Sequence, residues 1–348
     1  MEQPNSPTSS IPQPGQVLGA SGSISPEDLA RAKQIIDTLK SSFSAKVVGQ
    51  ENLRTSLLVS LIVGGHILLE SVPGLAKTTA AQTLAESISA TFKRIQCTPD
   101  LLPSDIIGTQ LYDYSKGQFK TELGPVHSNF VLLDEINRSS AKTQSAMLEA
   151  MQEKQTSIAG QVHRLPQPFI VLATQNPVEQ EGTYELPEAQ LDRFLLKEIL
   201  AYPTVPEEVE ILRRIDSGVL SAPTEPTTVT PADILYLQAL LNKVYADDSI
   251  KNYIVNIVNA TRNASAVIDP NVAKYIQYGA SPRASITFQQ VSRAIALLEG
   301  RSHVIPEDVQ KLRYSILRHR IILNFEAVAD QVHPEVIIDA IFGAIKTP

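Results

Sequence analysis

The chain is poor in several residue types whose absence narrows its chemistry. It has one cysteine in 348 residues, Cys97. A single thiol excludes an internal disulfide framework and a cysteine-based zinc site. It fits a reducing compartment, and a cytoplasmic location is the expectation. Six histidines are scattered without ligand spacing, which speaks against a metal-site enzyme. There is no excess of positive charge: 30 Lys and Arg stand against 37 Asp and Glu, a net charge of −7. General nucleic-acid binding needs clustered cations to neutralise phosphates, so no nucleic-acid partner is expected, although a local basic patch is left open. Long apolar runs are missing too. The most apolar stretch, Leu57 to Leu69, is 13 residues and is broken by Gly64, Gly65 and His66. A membrane span needs about 20 residues, so none is expected. The first 25 residues have neither a basic start nor an apolar block, so they are not expected to be a signal peptide.

What is present is an ordinary globular composition, 43% hydrophobic and 19% charged. At roughly 100–200 residues per domain, the length accommodates about two domains. Residues 1–24 are rich in Ser, Pro, Gly and Gln and are expected to be a disordered tail. Ser25-Pro26-Glu27-Asp28 reads as a helix start, followed by Leu29, Ile35, Ile36, Leu39 and Phe43 at helical spacing. A second helix carries Leu53, Leu57, Leu58 and Leu61, with Val47 to Gln50 as the loop between them. From His66 the pattern changes. Candidate strands at 66–69, 92–96, 130–133, 169–173 and 195–200 alternate with helices at 77–89, 139–153 and 188–193, which predicts a parallel sheet covered on both faces. Two insertions interrupt it: 97–126, without strong period, and 155–166, a hairpin turning at Ala159-Gly160. After Tyr202-Pro203 the strand signal nearly stops. A Pro/Thr linker at 218–229 precedes Thr230-Pro231-Ala232-Asp233, a capping-box pattern, and further helices are predicted at 248–262, 283–299, 306–318 and 334–345. The chain therefore reads as an α/β domain, 25–203, followed by an all-helical domain, 204–348.

The segment from His66 to Thr79, HILLESVPGLAKTT, is a strand, a Pro/Gly turn and a helix start. That combination directs backbone N–H groups and a helix N-terminus at one anion. Against the phosphate-loop pattern G-x-x-x-x-G-K-[ST], both glycine positions differ, being Ser71 and Ala76, while Lys77 and Thr78 fit. The apolar run Phe130 to Leu133 ends in Asp134 and Glu135. Two carboxylates at the tip of a buried strand beside such a loop suit a metal ligand and a water-activating base, though an acidic turn has the same appearance. Asn176 ends the next strand, where an amide positions water or merely makes a turn before Pro177. Arg193 and Arg283 each lie at a helix end. Arginine suits phosphate oxygens, and a surface ion pair or a solvated helix start is the plainer alternative. At Arg283 the positive helix end is mildly unfavourable to a cation, which favours a functional reason.

Several longer blocks carry a resemblance. LLPSDIIGTQLYD, LLDEINR, TQSAMLEAMQEKQ, ATQNPVEQEGTYELPEAQLDRF, GASPRAS and ILRHRIIL are similar to the MoxR family of AAA+ ATPases, over about Val47 to Leu323. The resemblance implies an AAA+ phosphate-loop core with a five-stranded parallel sheet in an αβα sandwich, then a helical lid. It implies ring assembly, commonly hexameric, and an insertion and a hairpin matching 97–126 and 155–166. ATP and Mg²⁺ are the implied cofactors. The loop Ser71, Pro73, Gly74, Leu75, Ala76, Lys77, Thr78 and Thr79 would hold phosphates, with Lys77 on the β- and γ-phosphates. Thr78 and Asp134 would hold Mg²⁺. Glu135 would activate water, Asn176 and Arg283 match the two sensors, and Arg193 matches the finger offered to a neighbouring subunit. Val48 and Gly49 fall in the loop bordering adenine. Chaperone-like maturation is implied, often with proteins carrying a von Willebrand factor A domain, which here would be a separate chain.

The family usually has glycine where Ser71 and Ala76 stand. An alanine needing positive φ at position 76 costs about 1–2 kcal/mol, roughly five- to thirty-fold if expressed in binding. Ser71 places a side chain where a tight turn is expected. Two further readings follow: a ring scaffold impaired in nucleotide binding, and a nucleic-acid motor, the latter opposed by the net charge of −7.

Overall fold

The computed structural model describes residues 24–72, 74–177, 183–220 and 229–348. Most of the tail expected at 1–24, most of the linker expected at 218–229, and Pro73 lie outside the described residues.

The α/β domain opens with α1 (Pro26–Lys46) and α2 (Glu51–Val63). Ser25 caps α1 by accepting from the Asp28 N–H at 3.0 Å. There follow β1 (Ile67–Glu70), α3 (Lys77–Glu86), β2 (Phe92–Gln96), α4 (Pro103–Ile107), β3 (Gly108–Asp113), β4 (Gln118–Leu123), β5 (Phe130–Asp134) and α5 (Ala141–Glu153). Then come β6 (Gln155–Ile158), β7 (Gln161–Arg164), β8 (Ile170–Gln175), α6 (Glu188–Leu191), β9 (Leu196–Ile199) and α7 (Val205–Asp216). Five strands form one sheet in the order β2-β5-β8-β1-β9, every pairing parallel. The expected strands are the observed ones within a residue or two. The central β1, β5 and β8 are short apolar runs buried almost throughout, whereas the edge strand β2 exposes Lys93, Arg94 and Gln96.

Both insertions fold as hairpins. The segment 97–126, which shows no period, contains α4 and the antiparallel pair β3–β4. Its strands are largely exposed on both faces, so no apolar alternation marks them in the sequence. The second, β6–β7, turns at Ala159 (φ 49°) and Gly160 (φ 81°), where both central residues have the positive φ of a tight hairpin turn.

The second domain comprises α8 (Pro231–Leu241), α9 (Asp248–Arg262), α10 (Pro270–Ala273), β10 (Ile276–Tyr278), α11 (Pro282–Leu298), α12 (Pro306–Lys311), α13 (Arg313–Leu317), β11 (Ile322–Leu323), α14 (Phe325–Ala329) and α15 (Pro334–Ala344). The predicted capping box is formed, with the Thr230 N–H and hydroxyl both donating to Asp233. Two details differ from the expectation. The helix expected over 306–318 breaks at Leu312, which leaves the helical region at φ −116°, ψ 26°. The domain is also not purely helical, since β10 and β11 pair as a small antiparallel ribbon.

The lid docks on the open edge of the sheet. The buried Glu198 carboxylate on β9 accepts from Ser56 of α2 at 2.8 Å and from Ser315 of α13 at 2.7 Å, tying three elements at one point. Among the described residues, no helix is long and apolar enough to cross a membrane.

Candidate nucleotide site

β1 delivers the chain to the loop at the C-terminal end of the sheet, and α3 leaves from it. Ser71 extends the sheet ladder, its N–H donating to the Gln175 carbonyl at 3.1 Å. Ser71 is buried and its φ is not positive, so the tight turn expected there is absent. The hydroxyl has no hydrogen-bond partner among the described residues. Gly74 has φ +86°, and a side chain added there would meet nothing within 4 Å of its Cβ. Ala76 does stand in the left-handed region, at φ 53°, ψ 23°, as the glycine pattern requires. As the N-cap of α3 it makes no side-chain capping bond, so the first N–H groups of the helix are left to another acceptor.

A cavity of about 350 Å³ lies against this loop, lined by Gly74 to Thr79 and by Arg94, Gln96, Asp134, Glu135 and Asn176. The sheet order explains the convergence. β8 adjoins β1 on one side, β5 lies beyond β8 and β2 beyond β5, all parallel, so their C-terminal ends form one rim. In register, Gln96 stands opposite Asp134.

The rim is heavily hydrogen-bonded. Thr174 donates to Asp134 Oδ1 at 2.7 Å and accepts the Glu135 N–H at 2.8 Å. Arg94 meets Asp134 Oδ2 through Nη2 at 2.5 Å and Nε at 3.1 Å. Arg94 also donates to Gln96, which donates to Glu135 Oε2 at 3.0 Å. Arg138 reaches the same Glu135 oxygen at 3.1 Å. Glu135 itself is held at φ 58°, ψ 53°, a conformation costing of order 1–3 kcal/mol and concentrated at functional sites. Next to the rim, burial pushes the Cys97 thiol up to about 12, helped by the Asp134 charge, so it is an inert neighbour and no nucleophile.

Two tests bear on ATP and Mg²⁺. The side chains of Lys77 and Thr78 make no hydrogen bond among the described residues, and the α3 N-terminus is uncapped, so a cation and a set of donors face the cavity. The oxygen ligands available, from Thr78 and Asp134, are of the type a hard divalent cation takes. The residues fit a metal-bound triphosphate.

The other expected residues lie elsewhere. Val48 and Gly49 do not line this cavity. They stand at the same end of the sheet, where Gln50 donates to the Ala201 carbonyl at 3.0 Å and Gly49 packs against Glu207 of α7. Gly49 is at φ +64°, and a Cβ there would collide with the Glu207 carboxylate. Arg193 and Arg283 are at the opposite end. They line a second cavity of about 390 Å³ with Gly64, His66 and Lys154, below the starts of β1 and β9. The Arg193 guanidinium is exposed and has no ion-pair partner among the described residues. Arg283 lies 3.9 Å from Asp192, an acid that offsets the unfavourable helix end.

Sequence reading missed Arg94, Gln96, Thr174 and Arg138. The available signal was two polar residues, Arg94 and Gln96, inside a predicted strand.

Residues 66–196 match the model of the AAA family, ATPases associated with various cellular activities, and residues 268–341 match that of the AAA lid domain. The chain is 46% identical over 302 residues to "Chaperone MoxR1" of Mycobacterium tuberculosis, covering 87% of this chain and 79% of that one. It is 30% identical over 326 residues to "Protein MoxR" of Paracoccus denitrificans, covering 89% and 95%. A crystal structure from Cytophaga hutchinsonii superposes with a TM-score of 0.85 at 45% identity, covering 92% of this chain and 97% of that one.

Proposed function

The chain belongs to the MoxR family of AAA+ ATPases, and from that premise we propose that it is a Mg²⁺-dependent ATP hydrolase driving chaperone-like remodelling or maturation of a protein partner. The observation that carries this reading is the shared cavity: the Gly74–Thr79 loop, Asp134, Glu135 and Asn176 line one space.

In this reading the loop N–H groups and Lys77 bind the phosphates, and Thr78 with Asp134 holds the metal. Bound Mg²⁺ supplies positive charge against the phosphate oxygens. Glu135 accepts a proton from the attacking water, and Asn176 orients that water. Thr174 fixes both acids at once, through the Asp134 carboxylate and the Glu135 N–H. Such preorganisation is worth more at the transition state than flexible groups of the same charge.

Arg193 and Arg283 are a sheet's length from the loop of their own chain. Both would therefore serve a neighbour's nucleotide, in a ring whose subunits meet head to tail, expected to be a hexamer. The remodelled partner, by family analogy, is a separate protein with a von Willebrand factor A domain and its client.

A second reading, a ring subunit that holds nucleotide weakly and acts as a scaffold, is favoured by the left-handed Ala76. Phosphate release from the purified protein decides between them when compared with Glu135→Gln. Turnover that falls by about a hundredfold or more in the variant, with ATP binding kept, supports the hydrolase. Equal rates would remove Glu135 from the mechanism. No saturable ATP binding until both Ser71→Gly and Ala76→Gly are introduced would favour the scaffold.

A further inference from the structure

Asp134 would serve a metal, yet both its oxygens are engaged by the protein: Oδ1 by the Thr174 hydroxyl, and Oδ2 by two nitrogens of Arg94. The Arg94 side chain is 50% exposed, while that of Asp134 is 11% exposed. The arginine thus closes the acid off from water while lining the phosphate cavity itself. It comes from β2, which β5 and β8 separate from the strand leading into the loop, so its placement follows from the β2–β5 register and not from any local motif.

We propose that Arg94 is a positioning residue that acts as an exchangeable counter-charge at Asp134, alternative to the nucleotide-bound Mg²⁺. The inference rests on the proposed ATP site. Two positive charges beside one carboxylate oppose each other, so Arg94 raises the electrostatic cost of admitting the divalent ion. The same charge lies in the cavity wall, where it favours the phosphates of a nucleotide that arrives without metal. Arg94 and Mg²⁺ therefore compete, and by reciprocity the removal of one strengthens the contribution of the other. Gln96, held by Arg94 and holding Glu135, gives this exchange a route to the water-activating acid. Displacement of Arg94 by metal would free Gln96 and leave Glu135 to Arg138.

The test is an equilibrium measurement and needs no turnover. A fluorescent ATP analogue is titrated into wild type and Arg94→Gln, with excess EDTA and with excess Mg²⁺, using Lys77→Ala as the negative control. The quantity read is the ratio of the metal-free Kd to the Mg²⁺ Kd. Arg94→Gln is expected to raise that ratio about five- to tenfold, chiefly by weakening metal-free binding. Arg94→Lys, which keeps the charge and loses the planar fork, should stay near the wild-type ratio. In an Asp134→Asn background, Arg94→Gln should raise the ratio by less than it does in wild type, since the part of its effect that runs through the shared carboxylate is gone. An equal rise in both backgrounds overturns the competition at Asp134. An unchanged or lower ratio in Arg94→Gln overturns the proposal, as does an Arg94→Lys ratio equal to that of Arg94→Gln. If wild type binds no nucleotide under either condition, the ATP-site reading fails and this inference falls with it. Binding with an unshifted ratio overturns only the role of Arg94.

Discussion

Arg320 donates to Asp192 across 2.8 Å, and Asp192 is the residue before Arg193. The pair joins the lid to the start of β9. Arg320 is almost fully buried, and beyond Asp192 it donates to the carbonyls of Phe194, Leu195 and Ile316. Asp192 in turn accepts from Ser281 at 2.8 Å and faces Arg283. One carboxylate thus fixes the orientation of the lid against the turn between α6 and β9 that carries the Arg193 guanidinium. Asp192→Asn should strip Arg320 of its counter-ion while leaving the charge buried, and breaking a buried pair in this way costs about 3–5 kcal/mol. Chemical denaturation would measure it. A loss under about 1 kcal/mol would mean that the carbonyls alone satisfy Arg320.

The two altered glycine positions of the phosphate loop should behave differently. Ala76 occupies the left-handed region, so its cost of about 1–2 kcal/mol is carried by the folded loop. Ala76→Gly should raise stability by up to about 1 kcal/mol once the greater freedom of glycine in the unfolded chain is subtracted, and change ATP affinity less than about threefold. Ser71 has no positive φ and keeps a ladder hydrogen bond, so glycine relieves no backbone strain there. Ser71→Gly should lower stability by about 0.5–1 kcal/mol. Thermal unfolding of the two variants gives shifts of opposite sign; shifts of the same sign would show that the loop conformation is not what separates them.

Arg193 and Arg283 lie at the end of the sheet away from their own phosphate loop, which makes a mixing experiment decisive. Arg193→Ala should bind ATP as wild type does and turn it over poorly, while Lys77→Ala should fail to bind. Mixed in equal amounts and allowed to reassemble, the two should regain up to about a quarter of wild-type turnover, because a quarter of head-to-tail interfaces join an intact loop to an intact finger. Turnover no greater than the sum of the separate variants would place Arg193 outside the neighbour's site.

Much of this was legible before the fold was known, for a physical reason. Buried parallel strands are short apolar runs, so β1, β5 and β8 stand out, and Ala159-Gly160 marks its own turn. Asp134, Glu135 and Asn176 were found because each follows such a run directly. Arg94 and Gln96 were not, because their partners come from strand register, which no local pattern encodes. The same holds for Asp192 and Arg320, separated by more than a hundred residues and joined only by docking of the lid. The residues at Ser71 and Ala76 looked equivalent in the sequence, and only the backbone angles separate them.

A pH dependence of stability follows from His66. Its ring is buried, with Nδ1 accepting the Val171 N–H at 3.0 Å and Nε2 lying 3.1 Å from the Met151 carbonyl. Burial lowers its pKa to about 4, opposed by the Met151 hydrogen bond and aided by the Lys154 charge. The unfolded chain takes up this proton near the ordinary value of about 6.5. Between those values the unfolded state binds more protons than the folded one, so stability falls as pH drops from about 6.5 to about 4 and gains no further loss from this group below. The slope expected is about 1.4 kcal/mol per pH unit for one proton, an order-of-magnitude figure. His319 is pushed down in the same direction by burial and adds to it. His66→Asn should be less stable at pH 7, because the Val171 and Met151 groups lose their fitted partner, and should show a shallower decline through this window. Denaturation series at pH 7, 6, 5 and 4 would compare the slopes; parallel lines for wild type and variant would mean that His66 takes its proton in the folded state as readily as in the unfolded one.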